Sequence, residues 1–205
     1  MLRLVIDTAS EACSAALFDD ATLLDFRHEL IGRGHAERLV PLIAELNDGG
    51  RAAAIAVGCG PGSFAGVRIG VAAARALALG WGVPVEGFSS LALVAAGAAK
   101  ELAEADGGLV VMEGGHGQWF VQPFAADLEP AAEVRSLLPD EAVALPHALV
   151  VGNRAEAFIA RRGHGRAVPA LPDARAFALL PRVALFADPS PIYGRAPDAK
   201  PMAAQ

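Results

Sequence analysis

The sequence predicts an α/β protein of two lobes with mixed sheets, and three observations carry that prediction. Short apolar, strand-like runs alternate with runs of helical periodicity through roughly the first half of the chain. A break at Asp106-Gly107-Gly108 is followed by what reads as a shortened repetition of the opening strands. At 205 residues, with 54% hydrophobic and 20% charged side chains, the chain is long and apolar enough for one large domain or two small ones.

Residues 2–6 form a short apolar run, and residues 12–18 and 22–28 flank the polar pair Asp19-Asp20, which predicts a strand and a hairpin. Gly32 and Gly34 interrupt the pattern. Residues 35–46 then place Leu39, Leu42, Ile43 and Leu46 at helical spacing, with Pro41 predicted to kink that helix or confine it to its first turn. Residues 53–57 read as a buried strand, 58–62 as a glycine turn, 64–79 as a long alanine-rich helix and 83–85 as a brief strand. Ser89 or Ser90 caps a helix reaching about Ala105. These elements make a first lobe over residues 1–106.

The second lobe, residues 107–205, is expected to be reduced. It holds strands at 109–112 and 119–124 around Gly114-Gly115-His116-Gly117, a strand at 149–151, a short helix at 154–162 and a last helix at 174–187 interrupted by Pro181. From Asp188 the proline-rich tail predicts an extended strap.

Seventeen basic and 23 acidic side chains give a net charge of −6, which opposes counterion-driven grip on a phosphate backbone; any nucleic-acid contact is expected to come mostly from a partner. Cys13 and Cys59 form no C-x-x-C pair, so neither a disulfide framework nor a zinc knuckle is expected. The N-terminus lacks the long apolar run of a signal peptide, and Arg68 and Arg75 interrupt the most apolar stretch, 65–84, so the expectation is a cytoplasmic protein with no membrane span.

The strongest local signal is Gly58-Cys59-Gly60-Pro61-Gly62-Ser63-Phe64-Ala65-Gly66-Val67-Arg68-Ile69-Gly70. A glycine loop at a helix N-terminus offers N–H groups to an anion, so Gly60, Gly62, Ser63 and the strand-end Asp7 are a candidate nucleotide or anion loop. No Gly-Lys-Ser/Thr follows, however, and Ser63 as a helix cap explains the same residues. Asp7 with Thr8 suits either a metal-bound water or phosphate, or a turn. In the helix beyond, Gly66, Gly70, Ala74 and Ala78 recur every fourth residue, a ridge without bulk that fits either a contact inside the lobe or a subunit interface. His35 has Arg38 and Leu39 at i+3 and i+4, and His28, His116, His147 and His164 are scattered, so no metal site is predicted. Nor does a nucleophile elbow occur.

Four segments together resemble the TsaB (YeaZ) family of bacterial proteins needed for threonylcarbamoyladenosine at position 37 of tRNA. They are Ile6-Asp7-Thr8-Ala9-Ser10-Glu11-Ala12-Cys13-Ser14, His35-Ala36-Glu37-Arg38-Leu39-Val40-Pro41, the glycine segment from Gly60 to Gly70, and Gly87-Phe88-Ser89-Ser90-Leu91, with Pro191-Ile192-Tyr193-Gly194-Arg195 similar to the family's ending. The resemblance implies an actin/Hsp70-like (ASKHA) fold of two related lobes. It also implies a non-catalytic role: the catalytic paralogue TsaD carries paired metal-binding histidines, and TsaB-like proteins support it by binding. The implied partners are TsaD, the ATPase TsaE and, when alone, a second copy, with tRNA reached through the complex and no membrane. No cofactor of its own is implied, ATP or ADP being expected only at the complex interface. Because such proteins pair through first-lobe helices, His35, Leu39, Leu42, Gly66, Arg68, Gly70, Ala74 and Ala78 become the expected partner surface.

One departure stands out. Where the family usually carries Asp-Ala-Arg-x-x-Glu-Val-Tyr, this chain reads Glu113-Gly114-Gly115-His116-Gly117-Gln118-Trp119-Phe120, without the arginine. The competing expectation is an ATP-dependent phosphotransferase with Asp7 and Gly114-Gly115 flanking phosphates.

Overall fold

A computed structural model describes residues 1–194; of the expected features, Arg195 and the rest of the proline-rich tail lie outside the described residues. The chain opens with β1 (Leu2–Asp7), β2 (Ala12–Asp19) and β3 (Thr22–Leu30), an antiparallel meander in which β1 and β2 are buried almost throughout. Next come α1 (His35–Ala44), β4 (Ala54–Gly58), α2 (Phe64–Trp81), β5 (Val85–Phe88), α3 (Ser90–Gly97) and α4 (Ala99–Glu104). Strands β4 and β5 join β1 in parallel, giving the order β3-β2-β1-β4-β5.

The second sheet repeats that plan. Its strands are β6 (Gly108–Gly115), β7 (Gln118–Phe124), β8 (Arg135–Leu137), β9 (Leu149–Val151) and β10 (Arg166–Val168), with α5 (Pro139–Ala142) and α6 (Ala155–Arg162) between them. Three antiparallel strands again lead to two parallel ones, in the order β8-β7-β6-β9-β10. The same winding in both halves is the two-related-lobe architecture of the actin/Hsp70-like fold, and the shorter strands of the second half make it the smaller lobe. The repetition faint in the sequence is plain in the topology, because β8 and β10 have only three residues each, too few for a periodic signal.

Several expected elements differ. Helix α1 runs through Pro41, which is solvent-exposed, and ends at Ala44 instead of kinking. The helix expected from Ser90 to Ala105 divides at Ala98, whose backbone leaves helical geometry. The helix expected over 174–187 is absent. Asp173 caps a 3-10 turn, Ala174–Leu179, Pro181 ends it, and after a second turn β11 (Leu185–Phe186) returns to pair with β5 of the first sheet.

That return segment closes the first lobe. Phe177 lies between Phe18 and Phe88, with ring centroids 6.1 and 5.6 Å away, and Ser14 Oγ accepts a hydrogen bond from Ala174 N–H. Helix α3 is buried on nearly all sides and packs between the two sheets, so one apolar cluster runs from Val5 and Phe18 through Leu93 to Val110 and Phe124. At the free edge of β3, Asp25 and Arg27 fold back onto the Phe26 N–H and carbonyl oxygen, which satisfies groups that would otherwise template another strand.

Helix α2 is long and apolar enough to cross a membrane by length and composition, with mean hydropathy 1.3 over 18 residues. Here it is a helix of the folded lobe: Val67, Val71, Ala74 and Ala78 lie buried toward the sheet, and Arg68 and Arg75 interrupt the stretch.

Candidate functional site

The glycine loop between β4 and α2 is held from below by Asp7. This residue is 1% exposed at the end of β1; its Oδ2 accepts the Ser90 hydroxyl at 2.6 Å and its Oδ1 accepts the Ala9 N–H at 2.9 Å. Ser90 Oγ accepts in turn from Gly60 N–H, and Gly60 O accepts from Ser90 N–H. Asp7 therefore ties β1, α3 and the loop together and presents no lone oxygen to a ligand. A side chain at Gly58 would overlap the Asp7 carboxylate, which explains one glycine by close approach.

Three further donors of the segment bond inward as well. Cys59 N–H bonds Phe88 O, Ser63 N–H bonds Ala9 O, and Gly66 N–H bonds the Ser63 hydroxyl that caps α2. Of the expected anion-loop residues, Asp7, Gly60, Gly62 and Ser63 do come together, but as a closed turn and cap. The Asp7 carboxylate and the Gly60 and Ser63 N–H groups bond within the protein, which favours the turn-and-cap reading of the segment over a phosphate cradle.

The expected partner surface is corrected more sharply. Gly66 and Gly70 lie against Thr8, where Thr8 Oγ1 donates to Gly66 O at 2.7 Å, and Ala74 and Ala78 are buried in the same direction. The small-residue ridge brings α2 close to β1 and β4 of its own sheet, so it is a contact inside the lobe. Leu39 and Leu42 are core residues, and His35 is buried with Nε2 3.2 Å from the Ala12 carbonyl oxygen. Arg68 alone of that set reaches the surface. Helical spacing identifies a shared face; which way the face points depends on what packs there.

Burial pushes Asp7 up from 3.8 to about 6, while the Ser90 and Ala9 hydrogen bonds and nearby His35 pull it down less strongly. The folded state thus keeps a proton that the unfolded chain releases between about pH 4 and pH 6, so this residue's contribution to stability falls as pH rises through that window, by up to about 3 kcal/mol. Asp7→Asn is expected to remove that dependence. Urea unfolding at several pH values should show the variant gaining on the native protein as pH rises from about 4 to about 7; a constant difference would contradict the raised value.

Above the loop, the two lobes enclose a cavity of about 920 Å³. Pro61, Val67, Leu91, Met112 and Phe120 give it an apolar floor. At one end Arg68 sits with its guanidinium 3.3 Å from the Phe64 ring centroid and 5.1 Å from that of Tyr193, and donates to Tyr193 Oη at 2.6 Å. At the other, Asn153 Nδ2 reaches both Glu11 carboxylate oxygens, at 3.1 and 3.3 Å, its Oδ1 accepts from Glu113 N–H, and Arg154 pairs with the Glu113 carboxylate. Ile192 N–H bonds Cys59 O, which lays the chain's return segment along the cleft.

Sequence reasoning missed Asn153 and Tyr193 as cleft residues, and Arg154 as the partner of the cleft residue Glu113. The Gly152-Asn153 dipeptide after β9 marked only a turn, and Tyr193 is brought to α2 from 125 residues away. The hairpin Glu113–Phe120 does flank the cleft, although its arginine is missing: Arg154, from α6's N-terminal side, supplies a guanidinium to Glu113 instead. Among the described residues, no three His, Cys, Asp or Glu side chains gather as a metal site.

Comparison with known proteins gives a consistent picture. Residues 28–175, well over half of the chain, match the family TsaD: tRNA N6-adenosine threonylcarbamoyltransferase. The tRNA threonylcarbamoyladenosine biosynthesis protein TsaB of Escherichia coli (strain K12) is 46% identical over 103 residues, covering 48% of this chain and 44% of that protein. Its counterpart in Bacillus subtilis (strain 168) is 36% identical over 101 residues. The chain spans just under half the length of these curated relatives. The solved structure of YeaZ from Pseudomonas aeruginosa superposes with a TM-score of 0.77 at 29% identity, over 94% of this chain and 99% of that one.

Proposed function

The chain belongs to the TsaB (YeaZ) family of tRNA threonylcarbamoyladenosine biosynthesis proteins, within the TsaD family, and on that premise we propose that it is a non-catalytic scaffold and activator subunit. In this reading it supports formation of N6-threonylcarbamoyladenosine at position 37 of tRNAs that read ANN codons, by binding a TsaD partner. The observation that carries the proposal is the likeness to YeaZ along almost the whole of both chains. The internal bonding of Asp7 and the glycine loop supports the non-catalytic part, because those groups are left with no ligand to turn over. The protein acts in the cytoplasm, where TsaE joins the complex, tRNA is gripped mainly by the assembled subunits, and any ATP or ADP sits at their interface.

The surface proposed for TsaD, or for a second copy when the protein is alone, is the outer side of α1 and α2. Val40 is 54% exposed and Leu79 86% exposed there, on the side of each helix turned away from the core. Val40→Arg and Leu79→Arg are expected to weaken pairing at least tenfold and to leave the unfolding midpoint within a few degrees, since both side chains point to solvent. Gel filtration with and without TsaD checks this; unchanged complex size in both variants rules the surface out. Reconstitution with TsaD, TsaE, the threonylcarbamoyl-adenylate synthase and tRNA tests the function itself, and equal modification without this chain would refute it.

The alternative of an ATP-dependent phosphotransferase draws support only from the size of the interlobe cavity. Steady ATP turnover by the lone protein is the result that would favour it.

A further inference from the structure

We propose that β11 and the residues that follow it to Gly194 form a strap that lifts from the first lobe as a unit while both lobes stay folded, and so opens one wall of the interlobe cleft. Ile192, Tyr193 and Gly194 line that cleft, and Gly194 lies against Pro61 of the first lobe and the Phe120 ring of the second. The strap therefore touches both sides of the opening.

Its anchors are few and shallow. β11 adds only two residue pairs to the sheet, Leu185 with Phe88 and Phe186 with Gly87. Pro189 and Pro191 carry no N–H, so the ladder along β5 does not continue beyond them. The polar anchors are then Ile192 N–H on Cys59 O at 2.7 Å, Arg75 on Asp188 at 3.1 Å and Arg68 on Tyr193 Oη at 2.6 Å. Both arginine contacts are exposed to solvent, where such bonds contribute little. Of residues 185–194 only Pro189 is buried, while Phe186 and Ile192 are half-buried against the lobe. Just upstream the balance reverses, with Ala174 and Phe177 buried and the Phe177 ring seated between Phe18 and Phe88. The chain thus passes from a turn held by the core to a strap held at the surface. Segments with so few buried contacts open locally at far less cost than global unfolding.

Cys59 makes that opening measurable. The protein has two cysteines, Cys13 and Cys59, both fully buried. Cys59 lies beneath the strap: its carbonyl oxygen accepts the Ile192 N–H, and a methyl group on Gly87 would strike both its Sγ and the Phe186 ring. Cys13 sits on β2, separated from β11 by the three strands β5, β4 and β1. Burial pushes the Cys59 thiol up to about 12 and the Cys13 thiol up to about 11, so each stays unreactive while covered.

The test is alkylation of the full chain with iodoacetamide, followed at each cysteine by peptide mass mapping. Cys59 is expected to react at least tenfold faster than Cys13. Tyr193→Ala removes the ring held by Arg68 and Phe64, and is expected to speed Cys59 a further three- to tenfold while leaving Cys13 and the thermal midpoint unchanged. Arg68→Ala breaks the same contact from the helix side and is expected to act in the same direction, about two- to fivefold. A merely destabilised lobe would speed both thiols alike. Cys59 and Cys13 reacting at one common rate, in the native protein or in the variants, or a Cys59 rate indifferent to both substitutions, overturns the proposal.

Discussion

Phe177→Ala is expected to lower the unfolding free energy by about 3–5 kcal/mol, the usual range for emptying a buried aromatic site. Phe177 is 9% exposed and seats between Phe18 of β2 and Phe88 of β5, with Arg3 5.4 Å above its ring. No neighbouring side chain is placed to refill that volume, because the residue arrives on a short 3-10 turn pinned by Ser14 and Asp173. The loss should exceed a simple cavity effect, since the ring also anchors the segment leading to β11. Leu179→Ala, on the same turn but 55% exposed, is the control and should change stability by less than about 0.5 kcal/mol. Urea unfolding measures both; equal effects would mean that the return segment does not hold the lobe closed.

The second large effect is expected at Gly66. A methyl group here would overlap the Thr8 carbonyl oxygen, which belongs to backbone that cannot rotate away. Gly66→Ala should therefore push α2 off the sheet and cost at least about 1–3 kcal/mol, despite the better helix propensity of alanine. Gly80→Ala lies in the same helix with nothing within 4 Å of the added carbon. It should be neutral or stabilising by up to about 1 kcal/mol. The opposite signs separate packing from propensity, and a thermal melt of each variant suffices to see them. An arginine at Gly70, which also packs on Thr8, is expected to unfold the lobe, so the docking surface has to be tested at Val40 and Leu79.

The cleft residues show why a site can be half legible. The first-lobe wall was visible as a glycine loop followed by a capped helix, because turn and cap chemistry is local and is written in adjacent residues. Arg68 meeting Tyr193, and Asn153 meeting Glu11, join residues 125 and 142 positions apart. No spacing rule reaches that far.

By itself the sequence determined the alternation of strands and helices, the Ser63 cap, the break before the second lobe and the family to which the chain belongs. All of these depend on short-range periodicity or on ordered motifs. The tertiary structure decided the rest. It turned the small-residue ridge of α2 inward onto β1 and β4, because only glycine and alanine allow a helix so close to Thr8. It buried Asp7 beneath the loop, where an unpaired carboxylate would be too costly, and tied it through the Ser90 hydroxyl to the Gly60 N–H. It also drew residues 174–186 back to the first sheet, since the apolar face around Phe18 and Phe88 would otherwise lie open to water.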